Sequence, residues 1–195
     1  MTDRAVLVTG SSRGIGRAVV EAFAAGGDRV AIHHRDSAEA AEKLRAGLPG
    51  SGHVVVRADL TDPEAVRSMV DRAAEQLGGL DVLVNNAGTY GDRDVPHPIF
   101  GTSYDEWQAR WRQVLETNLT GAGNVIWCAA QHLRERGGRI VNVSSRGAAI
   151  RAQSPFDRVA RPEEIAAAVH WLASPEAEWA SGTIVDLNGA SYLRS

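Results

Sequence analysis

Gly10, Gly14 and Gly16 punctuate a turn that follows a short apolar run, 5–9, and opens a segment in which Ala18, Val19, Ala22 and Phe23 recur at helical spacing. That arrangement suits an anion, above all a phosphate. Glycine keeps a Cβ out of the ligand's way, and the free N–H groups of a helix start, at the positive end of its dipole, receive negative charge. The residues placed to do so are Gly10, Ser12, Arg13, Gly14, Ile15 and Gly16. A glycine triplet alone is a weak signal. Between a strand and a helix, at the head of an alternating strand and helix pattern, it meets the context a dinucleotide fingerprint requires.

Polar groups at other strand ends carry the remaining chemistry. The apolar run 80–84 leads into Asn85-Asn86-Ala87-Gly88. Paired asparagines can tie neighbouring strands together, while Ala87 and Gly88 leave a surface flat enough for a ribose; asparagine also forms ordinary turns. Asn118 lies on the apolar face of a helix shared with Trp107, Trp111, Val114 and Leu115, where a polar amide needs a buried partner. The run 139–145 ends in Ser144 and Ser145, and a serine there can also cap its own turn.

The elements that position these groups read in order. Strands are predicted at 5–9, Arg29–His34, 53–57, 80–84, 139–145 and 184–187, with helices between them. Ser37 is expected to cap the second helix, Thr61 to cap the third in a capping box with Glu64, and Ser103 to cap a long helix with Glu106. Ile165, Val169 and Leu172 mark the inward face of the last helix.

The glycine spacing in TGSSRGIG, followed by NNAG after the fourth strand, resembles the short-chain dehydrogenase/reductase family, classical type. The resemblance covers 4–151 and 158–189. It implies an α/β fold with a doubly wound, mostly parallel sheet of Rossmann type in three α/β/α layers. It also implies an oxidoreductase that moves hydride between a nicotinamide and a ketone or secondary alcohol. It places the adenosine-side position on His34, with Arg35 beside it, sets Asp59 and the Leu60 backbone against adenine, and sets Asn86, Ala87 and Gly88 under the cofactor ribose. Ser145 matches the catalytic serine and Asn118 the residue that holds a relay water. Arg13 and Arg35 converge on one spot and guanidinium pairs well with phosphate, so NADP(H) is expected over NAD(H). Asp36, one step on, leaves NAD(H) open, and Arg35 can also be read as a solvated loop residue. A homo-oligomer, tetramer or dimer, is implied by resemblance alone.

The family's YxxxK pair, whose tuned phenol exchanges the proton at the substrate oxygen, has no match here. The corresponding positions fall on Arg158 and Pro162, and none of Tyr90, Tyr104 and Tyr192 has a lysine four residues on. Lys43, the sole lysine among 21 basic residues, lies on the adenosine side. The family's closing block normally begins some fifty residues further from the serine, so the sixth strand and its flanking helices are missing from the pattern. Deleting that central strand would unpair two edges. An internal segment of the working protein, absent from this sequence, is therefore predicted near 153–155 within a single domain, 1–195. The alternative is a non-catalytic NADP-binding or regulatory protein that lacks the dyad.

Composition narrows the classes. With 195 residues, 44% hydrophobic, the chain can bury one core. Its net charge of -3 gives no reason to expect nucleic acid or an anionic membrane as partner. A single cysteine, Cys128, and the lack of a long apolar run point to a cytoplasmic protein. The six histidines lack metal-ligand spacing, and no P-loop ending follows the glycines, so metal hydrolysis and phosphoryl transfer are not expected.

Overall fold

The computed structural model describes residues 3–90, 100–145 and 154–189. Five strands, β1 (Ala5–Val8), β2 (Arg29–His34), β3 (Val54–Arg57), β4 (Val82–Asn85) and β5 (Arg139–Asn142), form one parallel sheet in the order β3-β2-β1-β4-β5. β1 is apolar throughout because both of its faces are covered, as parallel sheets demand. Ala5 and Leu7 pack with Val66, Met69, Leu77 and Val125 on one side. Val6 and Val8 pack with Val19, Phe23, Val84 and Val169 on the other. The expected doubly wound, three-layer α/β architecture is thus observed.

Helices α1 (Gly14–Ala25), α2 (Ala38–Gly47) and α3 (Pro63–Leu77) lie between the first four strands. Helix α4 (Tyr104–Leu115) runs through a π-helical turn, Glu116–Gly121, into α5 (Ala122–Leu133). Helix α6 (Pro162–Leu172) packs on α1, where the Phe23 and His170 rings lie 5.1 Å apart. Arg4 fastens this contact. Its guanidinium pairs with the fully buried Asp28 side chain at 2.7 Å and donates to the Ala173 carbonyl at 2.7 Å.

Ser103 and Glu106 form the expected capping box. The third helix starts one residue later than expected. Asp62, not Thr61, is its cap, with the carboxylate accepting from the amides of Glu64 and Ala65 and Pro63 in the first turn. Thr61 instead donates its hydroxyl to Asp59. Ser37 stands at the start of α2 but makes no side-chain cap.

The strand expected at 184–187 does not form. Ile184, Val185 and Leu187 are exposed, and β5 is the sheet's edge, with Ile140 part-exposed. A strand exists only against a neighbour, and among the described residues no strand lies beyond β5 to pair with this one.

Candidate nucleotide site

All five strands point their carboxyl ends the same way, which gathers the polar motifs along one edge of the sheet. Thr9 ties β1 to β4. Its amide donates to the Val84 carbonyl, and its hydroxyl oxygen accepts from the amides of Asn86 and Ala87, each at 3.0 Å. Asn86 answers with its side-chain amide, which donates to the carbonyls of Thr9 (2.9 Å) and Gly10 (3.1 Å). The asparagine pair thus joins strands as expected, and Asn85 reaches across to Asn142 on β5.

The glycines divide their labour. A Cβ at Gly16 would stand 2.5 Å from the Asn86 amide and 2.6 Å from the Gly10 carbonyl, so that glycine permits close packing. Gly14, at φ +57°, has no atom within 4 Å of where its Cβ would be, leaving the outer face of the turn open. Helix α1 begins there without a side-chain cap and without an acid in its first turn, unlike α3 and α4. Its first N–H groups have no intrahelical acceptor and are placed for an external one.

Beneath the turn lies His33, buried at 3% exposure. Its Nδ1 accepts from the Gly10 amide at 2.9 Å, so Nε2 carries the proton and donates to the Ala58 carbonyl at 3.1 Å. Burial pushes its pKa down to about 4 against the opposing pull of the Ala58 bond. Ser11 is fully buried beside it, donating its hydroxyl to the Val8 carbonyl and accepting from the His33 amide. Thr9, Ser11 and His33 were not among the expected site residues. The available signal was polar side chains inside otherwise apolar strand ends, each of which needs a buried partner.

At the end of β2, His34 is buried with its Nδ1 unpartnered among the described residues. Arg35 is exposed and pairs with Asp36 at 2.6 Å, which raises its pKa, so one of the two arginines expected at a 2'-phosphate already faces a carboxylate. Arg57, at the end of β3, donates to the Arg35 carbonyl and brings a further guanidinium to the same edge. The Asp59 carboxylate accepts from the amide and hydroxyl of Thr61, and these bonds hold its pKa low. Leu60 is buried, and Gly121 of the π-helical turn lies against its carbonyl.

Asn118 sits in that turn, but it is exposed, which corrects the expectation of a buried amide. Its partner is backbone. Oδ1 accepts from the Thr89 amide at 2.8 Å, and Nδ2 donates to the Thr89 carbonyl at 2.7 Å. The neighbouring Tyr90 hydroxyl donates to the Ser145 carbonyl at 3.1 Å. The segment 89–90 therefore brings Asn118 and Ser145 into one connected group beyond the ends of β4 and β5. A Cβ at Gly88 would stand 3.5 Å from the Asn118 Oδ1. Along α4 the Tyr104 and Trp107 rings stack at 6.1 Å and the Trp107 and Trp111 rings lie tilted at 6.0 Å; Trp111 is exposed, and α4 buries no residue. Gln153, Tyr192 and most of the loop 89–102 lie outside the described residues. Among the described residues no helix is long and apolar enough to cross a membrane.

Residues 4–155 match the family model of the short chain dehydrogenases. The cis-4-hydroxycyclohexanecarboxylate dehydrogenase of Sinomonas cyclohexanicum is 31% identical over 247 aligned positions, covering 96% of each chain. Since 96% of this 195-residue chain is about 187 residues, about sixty of those aligned positions have no counterpart here. A 3-oxoacyl-[acyl-carrier-protein] reductase FabG of Staphylococcus aureus is 37% identical over 145 residues, 73% of this chain but 56% of that protein. The chain thus spans little more than half the length of several relatives it matches. A short chain dehydrogenase from Burkholderia cenocepacia, solved in complex with NADP, superposes with a TM-score of 0.80 at 28% identity, covering 97% of this chain and 98% of that one.

Proposed function

Because the chain belongs to the short-chain dehydrogenase/reductase family, we propose that it is the nucleotide-binding body of an NADP(H)-dependent oxidoreductase that interconverts a ketone and a secondary alcohol. The observation that carries this reading is the turn 10–16. An uncapped helix start and an open glycine face are what a pyrophosphate requires, and the residues present fit the group. Gly10, Ser12, Arg13, Gly14, Ile15 and Gly16 would hold the pyrophosphate. His34, Arg35, Asp59 and Leu60 would line the adenosine end, and Asn86, Ala87 and Gly88 the ribose between. Arg13, with no carboxylate partner among the described residues, and Arg57 beside Arg35 support NADP(H) as the preferred form, as does the NADP complex of the Burkholderia relative. The bound nicotinamide would supply the hydride chemistry.

At the reacting end, Ser145 would orient the substrate oxygen, and Asn118 would hold a water for proton relay. Proton exchange at that oxygen needs an acid that this sequence does not provide in a YxxxK pair. We assign it to a segment near 153–155 that the working protein carries and this sequence omits, a reading supported by the roughly sixty unmatched positions in the Sinomonas relative. The absence of the pair equally favours a second reading, a protein that binds NADP(H) without turnover.

Three measurements on one preparation separate these readings: intact mass, NADPH and NADH titration, and turnover of a panel of small ketones. The enzyme reading expects a mass above that of 195 residues, tighter NADPH than NADH, and oxidation of NADPH with at least one ketone. A mass equal to this sequence, with binding and no turnover, supports the second reading. Uptake of neither nucleotide overturns both.

A further inference from the structure

We propose that the neutral imidazole of His33 is a positioning residue for the dinucleotide, locking the glycine turn to the end of β3 so that the pyrophosphate and adenosine ends of the site form one rigid unit. The proposal rests on the nucleotide-site reading above. Residue 33 holds the turn in two ways. Its backbone does so as any residue's would, with the Ser11 amide donating to its carbonyl at 2.9 Å and its own amide donating to the Ser11 hydroxyl oxygen at 2.9 Å. Its ring does what only a doubly functional planar group can, accepting from Gly10 on one side while donating to Ala58 on the other.

The consequence for the ligand lies in where the amides point. Gly10 stands at φ +62°, packed against Ala87, and its N–H is drawn inward to the imidazole. That inward bond sets the turn so that the later amides face out over the open side at Gly14. The second bond reaches Ala58, which immediately precedes Asp59 and Leu60, so the same ring also fixes the adenosine-side strand end. Loss of either bond leaves the fold's hydrophobic contacts in place and loosens the spacing between the two ends of the site.

The test uses two substitutions that each keep one bond. In His33→Asn the side-chain oxygen lies near the place of Nδ1 and still accepts from Gly10. In His33→Gln the longer amide reaches the place of Nε2 and still donates to Ala58, leaving Gly10 without an acceptor. NADPH titration by Trp fluorescence should show affinity weakened about tenfold in His33→Gln and about threefold or less in His33→Asn, at comparable melting temperatures. Equal weakening in both, tracking lost thermal stability, would overturn the proposal and leave His33 a structural group. Wild-type protein that takes up no nucleotide fails earlier and identifies the site reading as the fault. Should neither variant fold, 15N NMR of histidine-labelled wild type decides. An unprotonated Nδ1 whose resonance moves on saturation with NADP supports the positioning role, and a protonated or unresponsive Nδ1 overturns it.

Discussion

β1 and β5 are both four-residue parallel strands, yet they live in different surroundings. Every side chain of β1 is buried, clamped between β2 and β4 with helices on both faces. Among the described residues β5 has one neighbour, and its Ile140 and Asn142 are exposed. The contrast extends to whole regions. The body built on the first four strands covers its apolar groups, whereas α4 buries nothing and Phe156, Trp179 and Ile184 stand in solvent. A strand or helix acquires its stability from what covers it. The same alternating pattern therefore yields a tightly covered half and an open one.

Paired substitutions break or sharpen that contrast. Phe23→Ala removes a fully buried ring from the α1–α6 contact and should lower unfolding free energy by about 3–5 kcal/mol in urea titrations, whereas Phe156→Ala should change it by roughly 0.5 kcal/mol or less. Comparable losses at the two sites would mean that the open half is covered in solution. Next in size is a pH effect. The folded-state pKa of His33 lies near 4, below the unfolded value of 6.5, so the unfolded chain binds more protons between those values. Stability from this group is complete above pH 6.5 and falls by about 3 kcal/mol as pH drops to 4. Urea unfolding at pH 7, 5.5 and 4 reads it, and His33→Asn should flatten that part of the profile. Thr9→Val leaves the amides of Asn86 and Ala87 without their hydroxyl acceptor and should cost about 1–3 kcal/mol, measured by the same titration. Smallest is Ile184→Ala, expected within about 0.5 kcal/mol of wild type by thermal melting. A loss above about 1 kcal/mol would reveal a partner for 184–187.

What could be read from sequence follows the same division. β2 appears with the bounds expected of it, and the Ser103–Glu106 box was legible because it is written in adjacent residues. The glycine turn and NNAG were legible because each is a short contiguous run at a strand end, and the bonds of Asn86 to Thr9 and Gly10 select strand-tying over an ordinary turn. The cap of α3 was misread because two oxygen-bearing residues compete at its start. Asp62 presents a charged acceptor directly before Pro63, while the Thr61 hydroxyl is already held by Asp59. Asn118 was placed on a regular helical face, but the π-helical turn Glu116–Gly121 shifts the phase of that face and turns the amide toward Thr89. Neither the strand at 184–187 nor the role of His33 could be judged from sequence, because each depends on a partner distant along the chain.

Arg4 has one more consequence. By gripping Asp28 and the carbonyl of Ala173, it rivets the far end of the polypeptide to the first strand and makes the chain a closed ring in space. The contact spans 169 positions of sequence. Closure entropy grows only with the logarithm of loop length, so a single guanidinium with two partners is enough to keep so distant a segment clasped against the sheet.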